Sequence, residues 1–182
     1  MQQMFNIHAG EYLVGSYIEE NFKDYNVWVP SKDTGVDLLV TNSKNNKAVS
    51  LQVKYSKDYV ITHMAPEYQN KFRAFGWWAL HRDRIKKSKA DLWVFVMQSF
   101  VGKTIECVVL SPSTLLMILK RIHGNEKLFQ VYMWVGCNDK CWETRGLNKA
   151  EKRLIAGDCF KCANRNLTSF LGNWEPMKQK LC

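Results

Sequence analysis

The sequence lacks any apolar run that approaches the roughly 20 residues of a membrane-spanning helix. Proline and glycine are scarce, at 4 and 10 of 182 residues, which excludes a collagen-like or low-complexity chain. The first residues carry no basic stretch and include an acid, Glu11, so we expect no signal peptide. These absences predict a cytoplasmic protein that makes no contact with a membrane.

Several sequence signatures of common enzyme classes are also missing. The chain contains no Walker motif, no G-x-G-x-x-G and no G-x-S-x-G, the signatures of phosphate loops, dinucleotide sites and one large class of hydrolases. Apolar residues make up 46% of the chain and aromatic residues 13%, which is enough for a packed core. The length predicts one domain with a small appendage.

Positive charge is present in excess and is unevenly placed. Residues 1–43 carry 2 basic and 6 acidic side chains, a net of −4, whereas residues 44–90 carry 11 and 3, a net of +8. The excess peaks at HRDRIKKSK, residues 81–89. Such a run is either a solvated helix face or a surface that contacts nucleic-acid phosphates. The candidate phosphate contacts are Arg82, Arg84, Lys86, Lys87 and Lys89.

Hydrophobic periodicity predicts an α/β fold in which helices flank a central mixed β-sheet. Residues 1–136 form the predicted core, and residues 137–182 form a less regular C-terminal extension. The aromatic cluster around residues 75–78 is assigned to a helix, and Trp78 and Trp77 to core packing. The predicted helices cover residues 9–22, most of 66–89 and 114–123, and the predicted strands cover residues 26–30, 36–40, 48–55, 90–98, 104–110 and 128–135.

Four polar residues interrupt elements that are otherwise apolar. Glu11 lies on the apolar face of the first helix, and Asp37 is the second residue of the apolar strand VDLLV. Gln52 and Lys54 are two residues apart in the next strand, so they point to the same face. A short hairpin joins the two strands, and we therefore expect the side chains to converge.

Two acids, an amide oxygen and an ammonium group suit the hydrolysis of a phosphodiester bond. Carboxylates are the ligands that a hard divalent cation prefers, and such a cation acidifies its bound water. A neighbouring lysine adds positive charge where negative charge develops. The alternative is a buried ion pair, Asp37 with Lys54 or Glu11 with Lys54, in which Gln52 satisfies a backbone group.

Glu11, Gly35-Val36-Asp37 and Gln52-Val53-Lys54 together resemble the PD-(D/E)XK nuclease superfamily over about residues 8–100. The resemblance implies a restriction-endonuclease-like core and a Mg²⁺ ion, with Mn²⁺ as a substitute. It implies that Glu11 and Asp37 bind the metal, that Val53 lends its backbone carbonyl and that Lys54 serves the nucleophilic water. Gln52 stands where an acid is usual, and Val36 stands where proline is usual.

The same resemblance implies a metal-dependent DNA endonuclease that leaves a 5′-phosphate and associates with the nucleoid. Site-specific cleavage of duplex DNA, of restriction or homing type, is the first interpretation. Cutting both strands generally needs two active sites, so we expect a homodimer or a higher homo-oligomer. The alternatives are a recombination-junction resolvase, a non-cleaving DNA-binding protein that keeps the fold, and a nuclease that acts on RNA.

Four cysteines in the extension have a spacing that suits a structural zinc site. In a reducing compartment, the alternative is four ordinary thiols, of which Cys141 and Cys159 pack as small hydrophobic residues. The extension also contains WETRG and CANRN, whose arginine and asparagine side chains either contact base edges or are ordinary polar residues of the surface. The candidate zinc ligands are Cys137, Cys141, Cys159 and Cys162.

Overall fold

The computed structural model describes residues 8–32, 34–56, 68, 70–98 and 105–182. These residues form eight β-strands, five α-helices and two short 3₁₀ turns. In chain order, the elements are α1 (Ala9–Asn21), β1 (Tyr25–Trp28), β2 (Leu38–Asn42), β3 (Ala48–Ser56), β4 (Phe72–His81), α2 (Arg82–Lys86), β5 (Leu92–Gln98), β6 (Ile105–Leu110), α3 (Pro112–His123), β7 (Leu128–Gly136), β8 (Cys141–Glu143), α4 (Lys149–Ala156) and α5 (Glu175–Leu181).

The first sheet has five strands in the order β1-β2-β3-β5-β6. The β3–β5 pair is parallel and the other pairs are antiparallel, so the predicted central mixed sheet is confirmed. Leu51 at the middle of β3 pairs with Leu38 on one side and with Leu92 on the other. All residues of β5 except the last are buried, as a strand with both faces covered requires.

Helices α1 and α5 cover one face of the first sheet. Val14 and Ile18 of α1 are fully buried and belong to the same apolar cluster as Val53 of β3. At Gly10 the helix approaches β3 so closely that an added Cβ would lie 2.5 Å from the Cβ of Tyr55. Because only glycine fits at that distance, the start of α1 is held directly against the C-terminal half of β3.

A second, three-stranded antiparallel sheet covers the other face, together with α3. Its strand order is β4-β7-β8. Trp78 of β4 packs edge to face on Phe95 of β5, with ring centroids 4.9 Å apart, so the two sheets share one core. The outer face of the second sheet is covered in part by α4, whose Ile155 packs with Trp134 and Trp142.

The helix predicted over most of residues 66–89 is wrong. Residues 72–81 form β4, the longest of the described strands, and of the described residues in this stretch only Arg82–Lys86 are α-helical; residues 66, 67 and 69 lie outside the described residues. The register of β4 shifts between Phe72 and Ala74, so Phe72 and Phe75 lie in one apolar cluster and Ala74 in another. This β-bulge interrupts the two-residue alternation that marks a strand.

The strand predicted over residues 36–40 is displaced: β2 begins at Leu38, so Asp37 directly precedes the strand. Other predicted elements agree more closely with the structure. Helix α3 begins after Ser111, whose side chain accepts a hydrogen bond from the Thr114 amide, and it ends at Gly124. Met177 and Leu181 of α5 are buried against the first sheet. The C-terminal extension therefore contributes to the core beside the first sheet, and through β8 it also contributes a strand to the second sheet. Among the described residues, no helix is both long enough and apolar enough to cross a membrane.

Candidate active site

Strands β2 and β3 separate at Asp37. The Asp37 amide donates to the Leu51 carbonyl at 2.8 Å, but one step further the Val53 amide donates to the Asp37 carboxylate at 2.7 Å. The side chain of Asp37 thus takes the position of a backbone acceptor on β2, and the sheet opens beyond this point. The turn before Asp37 places Gly35 at a φ of +84°, a conformation that glycine adopts without strain.

Gln52 and Lys54 extend from β3 toward the second sheet, on the opposite side of the strand from Val53. The Lys54 ammonium lies 5.4 Å from the centre of the Trp93 ring, within the range of a cation–π contact. The Lys54 carbonyl accepts a hydrogen bond of 3.1 Å from the Trp78 indole. The second sheet therefore fixes the backbone from which the lysine projects.

Glu11 reaches the same place from the first turn of α1. Its carboxylate accepts a hydrogen bond of 3.1 Å from the His8 amide, which satisfies one of the unpaired amides at the start of the helix. Glu11 is partly buried, in agreement with its predicted place on the apolar side of α1. A carboxylate at the N-terminal turn is also favourably placed in the helix dipole.

The four predicted residues Glu11, Asp37, Gln52 and Lys54 all line one cleft of about 1050 Å³. Helix α1 and the side chain of Lys54 lie on opposite faces of the first sheet, and they meet in this cleft because β2 begins only at Leu38. The structure therefore brings the predicted constellation together at a gap in the sheet.

The basic run divides into two groups around the cleft. Arg84, Lys87 and Lys89 are exposed and line it. Arg82 and Lys86 are not among its lining residues, and the Arg82 guanidinium donates to the Asn125 carbonyl at 2.8 Å. Further polar or aromatic residues of the cleft wall were not predicted from the sequence, among them Lys32, His81, Asp83 and Trp93.

The donor chemistry of the cleft fits a hard divalent cation. Glu11 and Asp37 supply carboxylate oxygens and Gln52 supplies an amide oxygen, the ligand types that Mg²⁺ takes. The amide and carbonyl of one strand residue point the same way, so the Val53 carbonyl lies on the side where the Val53 amide meets Asp37. The predicted metal ligands thus face one opening.

The four candidate zinc ligands have different environments. Cys141 is fully buried, and burial raises the pKa of its thiol far above the ordinary value, whereas Cys137 and Cys159 are exposed and Cys162 is partly buried. Within the described part of the chain, no three His, Cys, Asp or Glu side chains are grouped as a metal ion requires. The zinc site stays a prediction, and metal analysis of the purified protein tests it.

A second charged cluster lies away from the cleft and was not predicted. Glu143 of β8 has no exposed surface, and its carboxylate is paired with the guanidinium of Arg165. The imidazole of His123 lies 3.4 Å from the same carboxylate. Arg165, a candidate base contact on sequence grounds, is thus engaged inside the protein. The signal in the sequence that could have indicated this pair is an acid, Glu143, directly after Trp142 in the short stretch WET.

Comparisons of the chain with protein-family models, with curated proteins and with solved structures gave no match in any of the three.

Proposed function

We propose that the protein is a Mg²⁺-dependent DNA endonuclease built on a restriction-endonuclease-like core. The convergence of Glu11, Asp37, Gln52 and Lys54 on one cleft is the observation that carries this proposal. The exposed basic side chains on the same cleft provide a place for phosphates to bind. A buried ion pair alone would not require an open cleft of about 1050 Å³ with this lining.

Each group has a defined chemical task in this proposal. Glu11, Asp37 and the Val53 carbonyl would hold the cation, and the Gln52 amide oxygen lines the same cleft as a further neutral ligand. When bound, the cation would neutralise negative charge and lower the pKa of its bound water. The Lys54 ammonium orients the attacking water and stabilises the negative charge that develops on the phosphate. The packing of Lys54 against Trp93 and the anchoring of its carbonyl by Trp78 reduce the freedom of the side chain.

The substrate we favour is duplex DNA cut at specific sequences, by a homodimer or higher homo-oligomer that supplies one active site for each strand. A resolvase that cuts recombination junctions uses the same groups and the same symmetry. Sedimentation of the purified protein tests the oligomeric state. Sequencing the ends of DNA digested with Mg²⁺, with an EDTA control, separates site-specific cleavage from junction cleavage.

The decisive variant is Asp37→Asn, which keeps an oxygen that can accept the Val53 amide but removes the negative charge. We expect it to lower the rate of Mg²⁺-dependent cleavage by about 10³-fold or more while DNA binding in EDTA stays measurable. Asp158→Asn is the matched control, because that exposed acid is paired with Lys140 away from the cleft lining. Unchanged cutting by Asp37→Asn would remove Asp37 from the active site.

One feature favours a second candidate, a DNA-binding protein that does not cut. Gln52 replaces a carboxylate with a neutral amide, which lowers the negative charge available to hold a cation. In that case the wild-type protein binds DNA with an affinity that falls steeply with salt, and it cuts no DNA in Mg²⁺ or Mn²⁺. An affinity that is flat with salt concentration would contradict both candidates, since each needs a phosphate-dominated interface.

A further inference from the structure

Part of the outer face of the second sheet is exposed and carries an aromatic stack. Trp77 of β4 is 47% exposed, against the prediction that it packs in the core, and it pairs in register with Tyr132 of β7. Their rings are stacked, with centroids 6.3 Å apart and planes at 25°. The guanidinium carbon of Arg145 lies 5.4 Å from the centre of the Tyr132 ring. We call these three residues the stacking platform.

The backbone at both ends of the stacking platform is held in place. The Trp77 amide donates to the Ser56 hydroxyl at 3.0 Å, which ties this end to β3. The Arg145 amide donates to the buried Glu143 carboxylate at 3.0 Å, and the Arg145 carbonyl accepts from Arg165 at 2.9 Å. The buried Glu143–Arg165 pair therefore positions the exposed arginine. A surface that is already ordered loses little conformational entropy when a ligand binds.

The stacking platform is continuous with the candidate active site. Ala79 and His81 line the cleft. Because side chains two residues apart in a strand point to the same face, both lie on the same face of β4 as Trp77. Two residues of a strand span about 7 Å, so Trp77 lies one such step from the wall of the cleft. A nucleic-acid strand whose phosphate enters the cleft would carry its neighbouring bases past the indole.

The chemistry of the stacking platform matches bases that are not paired. Aromatic rings and an arginine plane on a β-sheet surface are the groups on which single-stranded bases stack. A continuous duplex keeps its bases stacked on each other and offers no ring face to such a surface. The positive charge of Arg145 at one end and of the cleft lysines at the other complements the phosphates of the same strand.

We propose that the stacking platform binds unpaired bases of a DNA strand whose phosphates lie in the cleft. This inference rests on the proposed function, because it needs the cleft to take DNA. It narrows the substrate class to duplex DNA with a single-stranded segment beside the scissile phosphate, as in a flap, an extension or an opened junction.

Binding measured by fluorescence anisotropy in EDTA tests the proposal without requiring cleavage. The probes are a labelled blunt duplex and the same duplex with a single-stranded extension of about ten nucleotides, in DNA or in RNA. We expect the wild-type protein to bind the DNA extension about 5- to 150-fold more tightly than the blunt duplex. Trp77→Ala should lose this preference, and Trp77→Phe should keep most of it. Met117→Ala is the matched control, because Met117 is 52% exposed on α3.

If Trp77→Ala does not fold, Arg145→Ala gives an independent test. This variant should also weaken the preference for the single-stranded extension over the blunt duplex. Equal affinity of the wild-type protein for blunt and extended DNA would overturn the proposal, as would a preference that Trp77→Ala retains. Tighter binding to the RNA extension would overturn the assignment to DNA. If the wild-type protein is a dimer and Trp77→Ala makes it dissociate, a second copy of the chain occupies the stacking platform. That result would also overturn the proposal.

The two proposals fail separately in these experiments. An enzyme that cuts blunt DNA through Asp37 but shows no preference for extensions would keep the proposed function and lose the stacking platform. A protein that prefers extensions in EDTA but cuts nothing in Mg²⁺ would keep the stacking platform and lose the catalytic proposal. No binding to any DNA would overturn both.

Discussion

One acid of each sheet, Asp37 beside the first and Glu143 in the second, shows how different two acidic environments can be. Asp37, at the start of β2, borders an open cleft, and its carboxylate accepts a backbone amide. In the second sheet, Glu143 has no exposed surface and is paired with Arg165. A buried acid that is paired with a cation stabilises the fold, because removal of its negative charge leaves the buried positive charge of its partner uncompensated. An acid beside an open cleft can interact with a ligand, and the difference predicts which variants lose stability and which lose function.

The largest expected effect on stability is that of Glu143→Gln. Breaking a buried ion pair leaves the Arg165 guanidinium with an uncompensated charge, which costs about 3–5 kcal/mol of unfolding free energy. Asp37→Asn should cost less than about 1 kcal/mol while it removes cleavage, because the amide still offers an oxygen to the Val53 amide. Urea denaturation of both variants measures the difference.

The control for the Glu143 variant is Glu175→Gln, whose partner Lys178 forms an exposed pair with it. Such an exposed pair contributes little to stability, because solvent screens the two charges. The double variant Glu143→Gln with Arg165→Gln should lose less stability than the two single variants added together, since it removes both charges of the pair. Additive losses would show that Glu143 and Arg165 do not stabilise each other, and would contradict the comparison between the sheets.

The next largest effect is expected at Gly10, where α1 touches β3. Gly10→Ala should destabilise the protein by about 1–3 kcal/mol, because its methyl group would meet Tyr55 at 2.5 Å and push the helix outward. It should also slow cleavage, since the next residue is Glu11. Gly15→Ala in the same helix is the matched control, with its nearest neighbour at 3.6 Å.

Thermal or urea denaturation distinguishes the two glycines. We expect Gly15→Ala to be neutral or to stabilise the helix by about 0.5–1 kcal/mol. Equal effects of the two substitutions would show that the contact between α1 and β3 does not depend on a glycine at position 10. In that case the close approach would not be what places Glu11 at the cleft.

The smallest effect concerns Asp91, an acid of the first sheet whose partners are known. Burial acts to raise the pKa of Asp91, but hydrogen bonds from Lys180 and Ser50 outweigh it and hold the pKa below its ordinary value. A carboxyl group with a lowered folded-state pKa stabilises the protein above its unfolded pKa, and this stabilisation is lost as the pH falls through the folded value.

Asp91→Asn should therefore destabilise the protein near neutral pH by at most about 1 kcal/mol. The difference from the wild-type protein should shrink as the pH falls below about 4. Unfolding free energies measured across the acid range check this expectation. A difference that stays constant at all pH values would show that the charge of Asp91 contributes nothing.

The composition of the cleft could be predicted because its residues lie on or beside elements whose faces follow from local periodicity. Asp37 directly precedes β2 and Gln52 lies on β3, and one hairpin joins these two strands, so the convergence of the two side chains follows from local geometry. Glu11 could be placed because a charged residue on the apolar face of a helix stands out from its neighbours. The same kind of signal, an acid in the apolar strand around Glu143, predicted nothing because its partner Arg165, 22 residues away, lies in the irregular extension, where no predicted strand or helix fixed the direction of its side chain.

The strand β4 could not be predicted, and most of the site's surroundings depend on it. Its alternation is broken by a bulge, and its partner β7 is about 50 residues further along the chain. Periodicity within a short window cannot detect a pairing over that distance. Trp78, which anchors Lys54, and Trp77, which heads the stacking platform, both belong to this strand.

By itself, the sequence determined the mixed α/β core and the four polar residues that meet in the cleft. Both follow from the spacing of apolar and charged residues within one helix or one hairpin. Only the tertiary structure decided that three of the five basic candidates line the cleft, that Arg165 pairs with a buried acid, and that the aromatic cluster lies on a second sheet. Those outcomes depend on contacts between distant parts of the chain, where packing and charge pairing outweigh local preference.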